Sequence, residues 1–478
     1  MHEFNRRSLM TGLMSGALVL GLDPITKGWV TGANAAGPFD SVPALDGTLR
    51  TDAASLDAAA DDFGHIVHHR PLAVLEPGSV QDVVKMVKFC RRHGIPVAGR
   101  GQGHSTNGQS QVAGGLVIEL APLSGIEISG RRASVGAGAL WNTLLQATLP
   151  RGLTPPVLTD YIDLSVGGTL SAGGLGGQIG HHGAQVDNVL ELEAVTGAGR
   201  LVTCSPTSRA PLFYALLSGR GQVGIITRAT LRLVPAPETV RYYNLFFATL
   251  PELTAVQRAL IGSGRFDYVE GQLQSQPDGT WKYMLEAVAY GATAADDARL
   301  TGDLGATSLT AADQAYYDFA NRIGPIVDIL KSLGEWTRPH PWLDSLLPAS
   351  AVDELVAGAL PTLTPATVGF SAVILLYPID TAKLRAPLLR MPDERYAYLF
   401  SILRTASPGV ADPAAMTAAN LAFYETARAR GGSWYPIGTL PLTPQDWKRH
   451  YGPVWPAFKL AKRTYDPDGI LTPGQGIF

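Results

Sequence analysis

Residues 99–111 read GRGQGHSTNGQSQ, a run of glycines and small polar residues around one imidazole, His104. A loop with so little to bury has four uses for that side chain: a solvated turn, a metal ligand, a catalytic base, or a covalent anchor for a group the sequence does not encode. Asp160 in "TDY" is a second candidate, although an isolated aspartate there reads first as a turn or N-cap residue. Glu270 in "YVEG" is a pocket acid or a solvated strand carboxylate, and Trp342 in "HPWL" a pocket wall or a core residue. His181 and His182 are adjacent, so they do not form a helical metal pair, and a structural hydrogen bond suits them better than catalysis. Residues 165–186, SVGGTLSAGGLGGQIGHHGAQV, hold eight glycines in twenty-two positions. Such a stretch lets backbone N–H groups approach an anion closely, and a flexible surface loop would look similar. It lacks the phosphate-loop spacing and the strand–helix setting of a dinucleotide fingerprint.

These residues need a scaffold, and the composition supplies one. The 478 residues suffice for two or three domains, and 46% hydrophobic with 17% charged residues describes a large core. A net charge of −3 without a dense basic stripe argues against nucleic acid as the partner. The 53 glycines and 34 prolines predict many tight turns and a strand-rich or mixed fold. Cys90 and Cys204 form no disulfide framework or zinc spacing, and Cys90 reads as a packed core thiol. Arg6 and Arg7 precede the apolar run Leu9–Leu22, and Ala33-Asn34-Ala35 supplies a small-x-small cleavage signature. Residues 1–35 are therefore expected to be a twin-arginine export signal, with Tat machinery as partner, an exported product and no stable membrane insertion.

Along the chain, "LAVLEPGS" reads as strand and turn, and "SVQDVVKMVKFCRRHG" as a helix with Ser79 as N-cap and Gly94 as stop. "IPVAGRG", "GLVIELAPL" and "GIEISGRRASVGAGA" read as strands, and "LWNTLLQATLPRG" as a helix ending at Gly152. A βαβ opening followed by further strands predicts an α+β domain. Composition changes at Pro235 and Pro237. Beyond them, strand-like runs at 240–250, 266–276, 281–290, 367–379 and 395–407 alternate with helical patterns at 315–334 and 414–431. A sheet covered by helices is the simplest packing of that set.

Four stretches, GRGQGHSTNGQ (99–109), the run 159–206 beginning TDYIDLSVGGTLS, GRGQVGIITRA (219–229) and TYDPDGILTPGQGIF (464–478), resemble flavin-dependent oxidoreductases with the vanillyl-alcohol-oxidase or PCMH type of FAD-binding domain. With FDYVEG (266–271), RPHPWLDSLLP (338–348) and the terminal PGQGIF, the chain is most similar to the cytokinin dehydrogenases. The resemblance implies a two-domain α+β flavoprotein: a PCMH-type FAD-binding domain from 36–236 and 436–478, and an antiparallel-sheet substrate domain covered by helices from 237–435. It implies FAD bonded covalently to His104. Gly99, Gly101, Gln102, Gly103, Ser105 and Gln109 would wrap its pyrophosphate and ring, with further contacts from Asp160, Ser165, Ser171, Leu175, Ile225, Tyr435, Thr472 and Gln475.

For activity the resemblance implies oxidation of the secondary amine of N6-substituted adenines, with a quinone or oxygen as electron acceptor. Asp160 takes the position of the family's catalytic carboxylate, Glu270 that of an acid at the pocket mouth, and Trp342 that of a pocket wall. The segment 293–314 is shorter and richer in alanine than in plant members. There is also no second flavin-linking cysteine in a G-x-C motif. The alternatives are an exported FAD oxidase of a sugar, polyol or aromatic alcohol, and a flavin- or purine-binding protein without turnover.

Overall fold

The computed structural model describes residues 19–23, 28–31 and 40–478. The twin arginine and the Ala33–Ala35 signature lie outside them. The described end of the apolar run, Val19–Leu22, pairs antiparallel with Trp29–Thr31 and Asp40–Ser41.

A four-stranded sheet in the order Thr48–Arg50, Ala73–Glu76, Leu116–Glu119, Val97–Arg100 carries the glycine–histidine loop at the end of its last strand. Leu116–Glu119 pairs in parallel with both Ala73–Glu76 and Val97–Arg100, and helix Val80–His93 makes the crossover between those two strands. That helix buries Val83, Val84, Met86, Val87 and Cys90 and stops at Gly94 with φ 63°. Ser79 stands at its N-cap position, but its hydroxyl donates to Asp46 Oδ2 at 2.7 Å and makes no cap bond. Beside this sheet lies an antiparallel one in the order Leu201–Cys204, Val189–Thr196, Gly224–Arg232, Arg132–Gly136, Ile126–Ser129.

The middle of the chain forms an eight-stranded antiparallel sheet. Its order is Ser308–Ala315, Thr239–Phe247, Trp281–Tyr290, Tyr268–Ser275, Val373–Asp380, Tyr396–Leu403, Leu343–Pro348, Ser433–Trp434. Helices Leu250–Ser263 and Pro413–Ala429 pack on it. The tail then returns to the first sheet, where Val97 N–H donates to Ile470 O and Thr472 N–H to Val97 O, both at 2.8 Å. The chain is thus a two-domain α+β fold with a split first domain.

Three segments differ from, or go beyond, what the sequence indicates. The glycine-rich run is largely buried and includes helices Val166–Ala172 and Ile179–His182. The helical pattern at 315–334 breaks into Tyr316–Ala320 and Ile323–Ser332. The alanine-rich segment ends in an edge strand, Ser308–Ala315, whose mostly exposed small residues give no alternating apolar signal.

Candidate active site

The residues named from the sequence converge on one cavity of about 650 Å³ between the first domain and the eight-stranded sheet. All the flavin-contact candidates line it, from Gly99 to Gln475, together with Asp160, Glu270 and Trp342.

The His104 loop is held by bonds that leave the imidazole free. Asp62 accepts from Ser105 Oγ at 3.0 Å and Gly108 N–H at 2.7 Å. Burial lifts this carboxyl to about 6 against those bonds. From the other side, Thr106 Oγ1 donates to Ile437 O at 3.0 Å and Gln109 Nε2 to Gly438 O at 3.2 Å. The polar loop delivers its one imidazole to an aromatic nest: Phe63 lies 4.1 Å from it between centroids, Tyr161 5.3 Å, Trp336 and Trp342 each 5.6 Å. Burial, with His340 nearby, lowers His104 to about 3, so it is neutral at physiological pH with a nitrogen available for bonding.

The tail closes the opposite rim. Gln475 Oε1 accepts from Arg220 Nε at 2.7 Å and its Nε2 donates to Gln109 O at 2.8 Å. Thr472 is bound through Gln222 Nε2 at 2.9 Å. Tyr435 Oη accepts from Gly174 N–H at 2.9 Å, linking the glycine-rich run to the end of the sheet domain.

Asp160 is at the centre of the third wall. Its Oδ1 accepts from Tyr268 Oη at 2.8 Å and from Arg322 Nη2 at 2.7 Å. Arg322 Nε lies 2.9 Å from Glu286 Oε1, and its Nη2 lies 3.9 Å from Glu270 Oε2. Glu270 lines the cavity and is only 2% exposed. Burial, followed by the charge of Asp160, raises Glu270 well above the usual carboxylate range. Burial also raises Glu286, with Arg322 opposing it.

Sequence reasoning missed Arg322, Glu286, Tyr268, Arg220 and Asp62. Asn321-Arg322 is a polar pair inside an apolar helical pattern, which a solvent-facing pair would match equally well. His181 Nε2 bonds Phe266 O at 2.8 Å, a structural contact. Cys90 and Cys204 are buried thiols. Among the described residues no group of three or more His, Cys, Asp or Glu could hold a metal ion.

The site fits a flavin nucleotide. A Cβ on Gly101 would stand 1.9 Å from Ser165 Oγ and 3.0 Å from Ser165 Cβ, so a side chain here would have to displace Ser165. Ser110 Oγ and Asp344 Oδ2 are buried in the lining without a protein partner. Polar backbone on one side and rings around His104 on the other suit a diphosphate joined to a flat heterocycle.

Comparison with known proteins places this architecture in a class. Residues 71–205 match the model of an FAD binding domain, and residues 304–478 that of "Cytokinin dehydrogenase 1, FAD and cytokinin binding". 6-Hydroxy-D-nicotine oxidase from Arthrobacter nicotinovorans shares the fold with a TM-score of 0.70 over 89% of this chain and 96% of its own, at 22% identity. The chain is therefore an FAD-dependent oxidoreductase. It is 38% identical to an uncharacterised oxidoreductase of the fasciation locus of Rhodococcoides fascians, over 90% of this chain and 99% of that one. It is 35% identical to cytokinin dehydrogenase 10 of Oryza sativa, over 90% and 88% of the two chains. Against cytokinin dehydrogenase 2 of Arabidopsis thaliana the identity is 32%, over 92% and 95%. The chain belongs to the cytokinin dehydrogenase family.

Proposed function

We propose that this protein oxidises the secondary amine of N6-isoprenoid adenines, with FAD bonded covalently through His104. The observation that carries the reading is that one cavity holds both His104 in its aromatic nest and Asp160, whose Oδ2 has no hydrogen-bond partner among the described residues. When bound, FAD would supply the acceptor for the hydride, and with it the two electrons, that leaves the carbon beside the amine. Asp160 takes the amine proton, and a positioned base of this kind contributes roughly 10²–10⁴-fold. Loss of proton and hydride leaves an imine, which water hydrolyses to adenine and an unsaturated aldehyde. Burial raises Glu270 well above the usual carboxylate range, which favours a carboxyl that donates a hydrogen bond to an acceptor on the purine. Trp342 and the aromatic rings beside it exclude water from the reacting end. A quinone or oxygen then removes the electrons.

Anaerobic addition of isopentenyladenine is expected to bleach the yellow protein, and sugars or polyols are not. The Asp160→Asn variant should stay yellow and lose rapid bleaching by at least a hundredfold. Acid precipitation should leave the colour on the wild-type polypeptide and release it from His104→Ala. A wild type unbleached by every N6-substituted adenine overturns the substrate assignment.

A further inference from the structure

Three carboxylates and one cation meet on the cavity wall, and the cation comes from an element whose sequence predicts something else. The helical pattern at 315–334 breaks at Asn321, where the backbone leaves helical geometry with φ −100° and ψ 17°. The next residue, Arg322, runs inward beneath the sheet, and its side chain is 17% exposed. Its guanidinium carbon lies 4.9 Å from the ring centre of Phe319 and 5.1 Å from that of Tyr268. Its nitrogens reach Asp160, Tyr268 and Glu286. Asp160 thereby has Oδ1 occupied twice, while Oδ2 has no hydrogen-bond partner among the described residues.

We infer that Arg322 is a positioning residue for the amine oxidation. It clamps Asp160 through Oδ1, supplies the counter-charge beside Asp160 and Glu286, and leaves Asp160 Oδ2 as the oxygen that receives the substrate's proton. This inference rests on the proposed function. Neighbouring carboxylates without a counter-charge take up protons, because their charged forms repel. A proton on Asp160 would remove the base, and an unclamped carboxylate would swing both oxygens toward Tyr268 or the substrate without preference. A planar fork orients a carboxylate in a way that a flexible ammonium does not. The titratable groups facing the guanidinium are Asp160, Tyr268, Glu270 and Glu286, with Tyr242 beside Glu286 and Tyr377 beside Glu270.

The test compares Arg322→Gln and Arg322→Lys with the wild type as flavin-loaded proteins. For anaerobic reduction by isopentenyladenine, the Gln variant should lose rate at pH 6 by at least tenfold and regain it at alkaline pH. An opposite charge within ~4–6 Å displaces a carboxylate's titration by roughly 1–3 units, so the profile should move alkaline by one unit or more. The Lys variant should keep the wild-type profile while its maximal rate falls several-fold. A second measurement needs no substrate. Infrared difference spectra between acidic and neutral protein should show a protonated-carboxyl band that persists to higher pH in Arg322→Gln and disappears with Asp160→Asn in that background. A pH-independent rate loss, an unmoved band, or loss of flavin from both variants would overturn the assignment and make Arg322 a structural residue. If wild type is reduced by no N6-substituted adenine yet the band shifts as described, the clamp stands and only the substrate reading fails.

Discussion

Asp344 sits in the fully buried strand Leu343–Pro348 and lines the cavity with one oxygen unpartnered. Its other oxygen accepts from Ser401 Oγ at 2.7 Å, too little to offset the loss of water, and burial lifts the carboxyl to about 7. An unfolded aspartate titrates near 4, so between about pH 4 and pH 7 the folded chain binds a proton that the unfolded chain has released. Stability associated with this group is present below pH 4 and is lost as pH rises to about 7. Asp344→Asn cannot lose that proton. Urea unfolding of the flavin-loaded protein should show the variant gaining on wild type by on the order of 2–4 kcal/mol between pH 4 and pH 8. The slope is the measure, because the new amide carries its own pH-independent cost. A difference that stays constant with pH would mean that Asp344 does not titrate in this range.

At the scale of elements, what the sequence showed and what it hid have separate physical causes. Helix Val80–His93 was legible because its apolar spacing and Gly94 are local features, and five sheet strands showed as apolar or alternating runs. The breaks were not legible: nothing local distinguishes Asn321-Arg322 from two polar residues on the solvent side of a longer helix. Their inward turn depends on partners far along the chain, Asp160 and Glu286. The same limit applies to the glycine-rich run, where glycine frequency suggested mobility and tertiary contacts impose order. Gly101 tests that order. A Cβ there would meet Ser165 Oγ at 1.9 Å and Ser165 Cβ at 3.0 Å, at the junction between the His104 loop and helix Val166–Ala172. Gly101→Ala should fold but incorporate flavin at least tenfold less, measured by the absorbance ratio of purified protein. Adding Ser165→Gly should recover much of it. An undiminished flavin content in the single variant would show that the two elements can part freely.

The whole molecule depends on a tail that a reading by domains alone would leave as loop. Its position came from resemblance, since no periodicity in DPDGILTPGQGIF points back to residue 97 or 109. In the fold, Leu471 and Ile477 are buried, Leu471 bridges Val97 in parallel, and Phe478 stacks on Trp455 at 4.8 Å. Gln475 makes the connection that matters most for the site, because it joins the His104 loop, the Arg220 turn and helix Pro444–Tyr451. It does so through Gln109 O, Arg220 Nε and Trp447 Nε1, the last at 3.1 Å. Arg220 is 6% exposed, and burial pushes its guanidinium down to about 10. Apart from Gln475, it donates to Pro436 O and lies over Trp447. Leaving a buried charged donor without its acceptor costs more than losing an exposed hydrogen bond, about 1–3 kcal/mol or more. Gln475→Ala should therefore lower the unfolding free energy by about that amount, and it should also loosen the flavin rim. Gln475→Glu restores an acceptor for Arg220 but gives up the donation to Gln109 O. It should recover stability while flavin retention after dialysis of a His104→Ala background stays reduced. Equal recovery of both properties in Gln475→Glu would assign the tail's role to Arg220 alone, and recovery of neither would place it in the bond to Gln109.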